Sequence, residues 1–289
     1  MYCRRIMSKL EIKGRNLVKG RQFEGIRALG SPEAFAGKYY EDGVDELVYV
    51  DIVAALYGRN SLGSVINAIA SEVFIPMTVA GGLRTLEDIE QALNAGADSK
   101  GLNTSAGEDP GLIEAGAKRF GSQCILVMVD AKALGQERYE VYVEGGRQPT
   151  GRDVFDWLGE VEGRGAGEVV LTSIDQDGIQ AGFDLGLVRR AAQALHIPLI
   201  AAGGAGCYED VARVFLEGQA DAVAIASALH YGSLRQLRFD PGELPAQDGN
   251  MDFIKSLREA PDACGDGAFS IPGLKAYLRD KGISCRVQG

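Results

Sequence analysis

Cysteine and histidine are scarce in this sequence. Its 289 residues include 5 cysteines and 2 histidines, and the cysteines are scattered without a C-x-x-C pair: Cys3, Cys124, Cys207, Cys264 and Cys285. An odd, scattered set predicts reduced thiols in a cytosolic protein and argues against a disulfide framework or a zinc site. With only His196 and His230, a histidine-rich metal site is not expected, and we expect neither a metal nor a cofactor.

Long apolar runs and excess positive charge are also missing. No run reaches the roughly 18 residues that span a bilayer, and Met1–Arg5 lacks the apolar stretch of a signal peptide. The 30 Lys and Arg against 40 Asp and Glu leave a net charge of −10, a poor match to nucleic acid. We therefore expect a cytoplasmic protein that binds neither nucleic acid nor membrane. A local basic pocket for a small phosphorylated ligand stays compatible with this charge.

The sequence contains an internal repeat of weak similarity. Three pairs of segments recur in the same order: Val79–Ile89 with Ala201–Val211, Ala95–Asp98 with Glu217–Asp221, and Asn103–Ala106 with Ala226–Ala228. Each copy has the pattern of a strand, a Gly-Gly turn, a helix, a second strand and a small polar turn. Two such copies, each about half the chain, predict a parallel βα array closed by duplication.

Short apolar runs predict eight strands that alternate with helices. They are Ile6–Ile12, Glu46–Asp51, Pro76–Val79, a run ending at Asn103, Cys124–Asp130, Glu168–Ser173, Pro198–Ala202 and Asp221–Ala226. We predict an α/β fold, a (β/α)8 TIM barrel built from two similar half-barrels. An open doubly wound sheet is the alternative, which the repeat disfavours. Active residues of such barrels lie at the C-terminal ends of the strands.

Two insertions interrupt this pattern within a predicted single domain over residues 1–289. A hairpin-like segment, Tyr139–Val143, follows strand five. A longer insertion at about 231–270 precedes the last helix, Ile271–Lys281. A connection of that length is often a lid, a contact surface or mobile.

Two carboxylates end opposed strands. Glu11 closes strand one and Asp130 closes strand five, and these strands face each other in an eightfold barrel. Such a pair can divide general acid and general base work when the environments separate the pKa values. Solvated or capping carboxylates are the alternative, but the matched positions favour catalysis.

Two turns of small residues are candidate phosphate cradles. The first comprises Gly81-Gly82 with Asn103-Thr104, and the second Gly203-Gly204 with Ala226-Ser227. Small turns expose backbone N–H groups, and a following helix N-terminus favours an anion. The duplication indicates a substrate with a phosphate at each end.

Further polar residues follow the predicted strands. Lys19, in the loop after strand one, is either a phosphate contact or a solvated lysine. Asp51 ends strand two, and Thr172 with Asp177 and Gly178 follows strand six. These hydroxyl and acid groups suit the hydroxyls of a polyol, although Asp-Gly is also ordinary turn chemistry.

These residues carry a resemblance to a known family, the cyclase subunit of imidazole glycerol phosphate synthase. The specific segments are residues 17–20, 45–51, 120–123, 171–178 and 202–206. The match runs from about Arg4 to Tyr231 and resumes at Ile271–Val287. The resemblance implies an ammonia-dependent lyase of histidine biosynthesis. It converts a bis-phosphorylated aminoimidazole-carboxamide ribonucleotide (PRFAR) to imidazole glycerol phosphate and AICAR. It also implies a heterodimer with a glutaminase subunit docked on the N-terminal face of the barrel.

The resemblance also implies residue roles. Glu11 and Asp130 match the catalytic pair. Phosphate contacts match Lys19, Asn103, Thr104, Gly204 and Ser227, while Thr172 and Asp177 match residues that line the substrate site. Charged residues of an ammonia gate match Arg5, Glu46 and Glu168, and Asp98 matches a residue of the glutaminase face.

Departures from the family pattern leave alternatives open. Glu11 stands where the family has Asp, and one methylene of misplacement can cost about 100-fold in rate. Ser99 replaces a gate lysine, with Lys100 on the other face of the strand. These departures and the long insertion resemble paralogues that channel ammonia for acetamidino modification of surface sugars (O-antigen). A sister sugar-phosphate isomerase is a third hypothesis; we favour the cyclase.

Overall fold

Strands and helices alternate along residues 3–54, 63–236, 240–242, 250–259 and 268–286, which the computed structural model describes. The strands are β1 Arg5–Lys13, β2 Asn16–Arg21, β3 Glu24–Gly30, β4 Glu46–Asp51, β5 Met77–Ala80, β6 Ser99–Leu102, β7 Ile125–Gly135, β8 Arg138–Val143, β9 Gln148–Asp153, β10 Glu168–Ser173, β11 Leu199–Ala202 and β12 Ala222–Ile225. The helices are α1 Pro32–Glu41, α2 Gly63–Ala70, α3 Leu86–Asn94, α4 Thr104–Glu108, α5 Gly111–Phe120, α6 Val154–Gly163, α7 Leu185–Ala194, α8 Tyr208–Leu216, α9 Ser227–Arg235, α10 Asn250–Glu259 and α11 Ile271–Asp280. Within these ranges, each helix is too short or too polar to cross a membrane.

Eight parallel strands close into a barrel. β1 pairs with β4 on one side and β12 on the other, and β7 pairs with β10. The order β1-β4-β5-β6-β7-β10-β11-β12 therefore returns to its start. The predicted (β/α)8 barrel is confirmed, and the open doubly wound sheet is wrong. β1 and β7 occupy the first and fifth places, so they lie across the barrel from each other.

Apolar side chains form one layer inside the barrel and another between the strands and helices. The inner layer comprises Met7, Val48, Ala80, Leu126, Met128, Val170, Ile200, Ala202, Ala222 and Ala224. Side chains alternate along a strand, so Gly101 faces inward and Lys100 faces the helices. A Cβ on Gly101 would lie 2.7 Å from the Cβ of Ala80. The inner layer therefore needs a residue without a side chain there.

The internal repeat sets where two helices begin. The Asp88 carboxylate accepts a hydrogen bond from the Thr85 N–H at 3.0 Å and starts α3. Asp210 accepts from the Cys207 N–H at 2.9 Å and starts α8 in the same way. Each carboxylate satisfies a free N–H of the first turn. Both helices consequently begin just after a Gly-Gly turn, with their N-termini at the C-terminal mouth of the barrel.

Each of the two opposed strands β1 and β7 continues into an antiparallel hairpin. The hairpin of β8 and β9 confirms the insertion expected after strand five. The hairpin of β2 and β3 was not predicted, and the expectation that Lys19 lies in a loop is wrong because Lys19 belongs to β2. Leu17 and Val18 pair with Ile12 and Glu11 at the end of β1, so this segment continues the sheet.

The long insertion packs against its own chain where it is described. The Ser31 N–H donates to the Pro241 carbonyl at 2.7 Å. On α10, the Phe253 ring lies 4.2 Å from the Arg27 guanidinium carbon and also packs on Tyr231. Residues 237–239, 243–249 and 260–267 lie outside the described residues. The described part is thus a contact surface for β3 and α9.

Candidate active site

The two predicted carboxylates share one cavity. Glu11 and Asp130 come from the opposed strands β1 and β7, are 6% and 5% exposed, and line a cavity with about 1060 Å³ of empty space. The cavity opens at the C-terminal ends of the strands. Predicted residues that also line it are Asp51, Gly81, Gly82, Asn103 and Thr104. Closure of the barrel therefore brings together groups 119 positions apart in sequence, from 11 to 130.

Both oxygens of the Glu11 carboxylate are bound by lysines. Lys19 Nζ lies 2.8 Å from Oε2, and Lys9 Nζ lies 3.2 Å from Oε1. Burial alone would raise the pKa of Glu11, but Lys19 and Lys9 together lower it to about 2. Glu11 is therefore a permanent anion at physiological pH.

Lys19 joins Glu11 to a second carboxylate. Its Nζ also lies 2.8 Å from Asp177 Oδ2. Burial opposes the charge of Lys19, but the Asp177 and Glu11 carboxylates raise its pKa above the ordinary value. In this structure Lys19 is buried and doubly paired, so the solvated-lysine alternative is wrong.

The pKa of Asp130 is shifted in the opposite direction from that of Glu11. Burial raises its pKa, and the charge of Lys9 and the hydrogen bond from Asn103 only partly oppose that rise. Asn103 Nδ2 donates to Asp130 Oδ2 at 2.7 Å. The two carboxylates thus differ in proton affinity, which is the arrangement that separates acid–base work from electrostatic work.

The first small-residue turn, Gly81-Gly82, borders the same cavity. Gly81 has φ of 101°, and a Cβ there would lie 2.3 Å from the Asp51 carbonyl oxygen. Only glycine fits this approach of backbone to backbone. Across the turn, Thr104 Oγ1 accepts from the Glu144 N–H at 3.0 Å. The β8–β9 connection therefore closes this side of the cavity.

The second turn, Gly203-Gly204, borders a separate cavity of about 310 Å³. Its lining includes the predicted residues Asp177, Gly178, Gly203, Gly204, Ala226 and Ser227. Ser227 Oγ and Thr172 Oγ1 are buried without a hydrogen-bond partner among the described residues. A buried hydroxyl without a partner is costly unless a ligand or water satisfies it, so the Ser227 hydroxyl suits a ligand contact. Thr172 lines neither cavity and lies in register with Asp130 and Ala202.

Asp51 has a structural role as well as a place in the cavity. Its Oδ1 accepts hydrogen bonds from the Val53 and Ala54 N–H groups, both at 3.0 Å. This is the turn chemistry expected of a strand-end aspartate. Its side chain still lines the larger cavity.

Lys9 is a site residue that sequence reasoning missed. It is 4% exposed and lines both cavities. The available signal was its position two residues before Glu11, because side chains at i and i+2 of a strand share a face. Phe23, at the turn between β2 and β3, is a second unpredicted lining residue.

The proposed gate residues lie at the other end of the barrel. Arg5 donates to Glu46 at 2.9 Å and to Glu168 at 2.8 Å. Glu11 lies six residue steps along β1 from Arg5, a distance of about 20 Å at strand spacing. Ser99 is not part of this cluster: its hydroxyl lies 2.6 Å from that of Thr78.

Asp98 and Lys100 lie near the same end, and the Asp98 carboxylate also holds the start of β5. Asp98 Oδ2 accepts from the Met77 N–H at 2.8 Å, as its repeat counterpart Asp221 does from Leu199 at 2.9 Å. Burial lowers the pKa of Lys100 to about 7. Neither side chain lines the two cavities. No cluster of His, Cys, Asp and Glu that could hold a metal occurs in the described ranges.

The fold and the cavities define a class of protein: a two-fold repeated (β/α)8 barrel with a buried carboxylate pair between two glycine-turn cradles. The family model described as "Histidine biosynthesis protein" matches residues 5–235. Two relatives, from Dictyoglomus thermophilum and Dictyoglomus turgidum, are each named "Imidazole glycerol phosphate synthase subunit HisF". Each is 40% identical over 287 residues, covering 99% of this chain and 100% of the relative. This chain belongs to the histidine biosynthesis protein family.

Proposed function

We propose that this chain is the cyclase subunit of imidazole glycerol phosphate synthase, a lyase of histidine biosynthesis. It takes ammonia and PRFAR and releases imidazole glycerol phosphate and AICAR. The observation that carries the proposal is the placement of Glu11 and Asp130 between two cradles, in a chain similar over its full length to HisF subunits. A substrate with a phosphate at each end would cross the carboxylate pair.

The opposite pKa shifts of the two carboxylates suit them to different catalytic roles. Ammonia must lose protons to become a ring nitrogen, and the departing groups must receive protons. Asp130, with its raised pKa, is the group suited to exchange a proton. Glu11 remains anionic, holds Lys19 in place and stabilises positive charge that develops on the attacking nitrogen. General acid–base catalysis of this kind contributes about 10²–10⁴-fold.

The two cradles bind the phosphates. In the first, the N–H groups around Gly82, Asn103 and Thr104 receive one phosphate. In the second, the groups around Gly204 and Ser227 receive the other, at the N-terminus of the nine-residue helix α9. A helix N-terminus attracts an anion through its free N–H groups and its dipole. Asp177 and Gly178 line the second cavity, and Thr172 lies in register with Asp130 on the neighbouring strand; in this proposal the three residues orient the substrate.

A glutaminase subunit supplies the ammonia in this proposal. It docks on the N-terminal face, where Phe74 is 75% exposed beside a hollow that includes Val73, Ile75 and Asp98. Ammonia then passes Arg5 and its two carboxylate partners and moves along the apolar inner layer of the barrel. We place the complex in the cytoplasm, in keeping with the reduced-thiol pattern of the sequence.

The second candidate function is ammonia channelling for surface-sugar acetamidino modification. Two observations favour it: both oxygens of Glu11 are occupied by lysines, and Ser99 bonds to Thr78 in place of a gate cation. The cyclase remains the better-supported proposal because both cradles and Asp130 are in place for chemistry within this barrel.

The test is turnover of PRFAR with an ammonium salt, followed by its absorbance change. We expect turnover in the wild type and a loss of about 10²–10⁴-fold in Asp130→Asn, since the amide cannot exchange the proton. Glu114→Gln, on the exposed face of α5, is the matched control and should keep full activity. A folded wild type that binds a glutaminase subunit yet produces no AICAR would contradict the cyclase proposal and support channelling.

A further inference from the structure

Lys9 occupies a singular position between the two cavities. Among the described residues that line them, it is the one residue common to both. It lies on β1, almost fully buried, and its Nζ is 3.2 Å from Glu11 Oε1. A ligand that extends from one cradle to the other must therefore pass its side chain.

The backbone carbonyl of Lys9 is hydrogen-bonded to the buried side chain of His230. The imidazole of His230 lies with Nε2 at 3.1 Å from the Lys9 carbonyl oxygen and Nδ1 at 2.7 Å from the Tyr39 hydroxyl. Burial lowers the pKa of His230 to about 3, so the ring is neutral. A carbonyl oxygen only accepts, so Nε2 carries the proton and Tyr39 donates to Nδ1. This buried pair fixes the strand where Lys9 projects into the mouth.

Among the described residues, Glu11 is the one charged partner of the Lys9 ammonium at contact distance, so N–H donors of Lys9 remain for other contacts. An ammonium has three N–H donors, and the Glu11 carboxylate takes one. Phe23 covers a second side, with its ring centroid 5.7 Å from Nζ. Lys19 is shared between Glu11 and Asp177, at 2.8 Å from each, so Lys9 supplies the second positive charge beside these two carboxylates. That pairing uses one N–H donor of Lys9 and leaves the others for a ligand.

We propose that Lys9 is a substrate-contacting residue that binds the oxygen-rich chain between the two phosphates of a bis-phosphorylated substrate. The inference rests on the proposed function and deepens it. The ammonium donates to a hydroxyl or carbonyl oxygen at the midpoint of the ligand, beside the Glu11–Asp130 pair. It also adds positive charge where two phosphates bring negative charge into a mouth already rich in carboxylates.

The charges that face Lys9 make its role measurable. The charged groups that line the same two cavities are Glu11, Asp51, Arg84, Glu108, Asp130, Glu144, Arg147 and Asp177, and Lys19 pairs with Glu11 and Asp177. The Lys9 charge lowers the pKa of Asp130, against the larger rise caused by burial. Removing that charge raises the pKa of Asp130 further. The acid limb of a rate profile that depends on ionised Asp130 then moves to higher pH.

The experiment compares Lys9→Met and Lys9→Arg with Lys13→Met, the same loss of charge at an exposed position of the same strand. Affinity for PRFAR is measured by calorimetry without ammonia, and kcat/KM with ammonium salt is measured across pH. For Lys9→Met we expect about 10- to 100-fold weaker binding, the effect of losing a charge-assisted hydrogen bond, and an acid limb at higher pH. Lys9→Arg keeps the positive charge and should keep the acid limb of the kcat/KM profile near its wild-type pH. Lys13→Met should match the wild type in both PRFAR affinity and the position of the acid limb.

The outcomes separate this inference from the proposed function. Wild-type turnover alone tests the function, whereas the affinities test Lys9 whether or not turnover occurs. Equal affinity and an unchanged acid limb in Lys9→Met would overturn the inference and leave the cyclase intact. Equal losses of PRFAR affinity in Lys9→Met and Lys9→Arg, with the acid limb at the same pH in both variants, would show that Lys9 has a structural role. That result would also overturn the inference. A wild type that does not bind PRFAR overturns both.

Discussion

Removing Lys19 should destabilise the protein in a way that depends on pH. Lys19→Met leaves Glu11 and Asp177 buried without their shared cation. The fall in the pKa of Glu11 from 4.5 to about 2 corresponds to about 3 kcal/mol, at about 1.4 kcal/mol per pKa unit. Breaking a buried ion pair by removing one partner costs about 3–5 kcal/mol. We therefore expect the free energy of unfolding at pH 7 to fall by about 3 kcal/mol.

The pH dependence has a defined direction. The folded-state pKa of Glu11 is depressed, so its contribution is fully present above about pH 4.5, the ordinary value, and is lost as the pH falls towards 2. In Lys19→Met the burial of Glu11 is opposed only by Lys9, so its pKa rises. The titration of the unfolded state is common to both proteins, so the difference in stability should shrink as the pH falls from the raised pKa of Glu11 in the variant towards 2.

Urea unfolding from pH 3 to pH 8 at constant ionic strength measures both effects. Lys118→Met is the matched control, because Lys118 pairs with Glu114 on the exposed face of α5 and such solvent-screened surface pairs contribute little to stability. A loss below about 1 kcal/mol in Lys19→Met, or a loss that is the same at every pH, would refute the assignment of Lys19 as the cation that holds two buried carboxylates.

Two further substitutions test the second cradle and the insertion. Gly204→Ala places a Cβ 2.2 Å from the Gly182 carbonyl oxygen at φ of 117°, so the turn must shift. We expect KM for PRFAR to rise about 10-fold or more through loss of a phosphate contact. Steady-state kinetics measure KM for PRFAR, with Gly37→Ala as the control because its Cβ meets no atom within 4 Å. An unchanged KM in Gly204→Ala would show that this turn does not contact the substrate. Phe253→Ala deletes the ring beneath Arg27 and should cost about 2 kcal/mol of unfolding free energy. Thermal unfolding compared with Lys255→Ala, an exposed position on the same helix, checks this, and equal stability would mean that α10 does not brace β3.

Much of the fold could be predicted because local patterns repeat. The Gly-Gly turns and the apolar runs recur in each half, and they led to eight strands and a closed barrel. The carboxylates could be placed for the same reason, since strand ends of a parallel barrel share one face. The hairpin of β2 and β3 escaped prediction because glycines and charged residues interrupt the apolar pattern of both strands, which pair with each other and, through β2, with the end of β1.

The contacts within the site could not be predicted in the same way. Lys19 was expected in a loop, and its bond to Asp177 joins residues 158 positions apart. Lys9 was not expected at all. Asp98, matched by resemblance to the partner face, lines the hollow beside Phe74, and its bond to the Met77 N–H joins residues 21 positions apart. These pairings join residues that are distant along the chain, so they produce no periodic pattern in the sequence from which they could be predicted.

The sequence by itself determined the barrel, its two-fold repeat, the positions of Glu11 and Asp130 and the two small-residue turns, because each follows from spacing along the chain. Only the tertiary structure decided that Lys19 holds two carboxylates, that Glu11 is anionic while Asp130 binds its proton more tightly, and that Lys9 borders both cavities. The physical reason is that pKa values and ion pairs depend on distance and burial. Closure of the barrel sets both by bringing β1, β7 and the segment after β10 to one mouth.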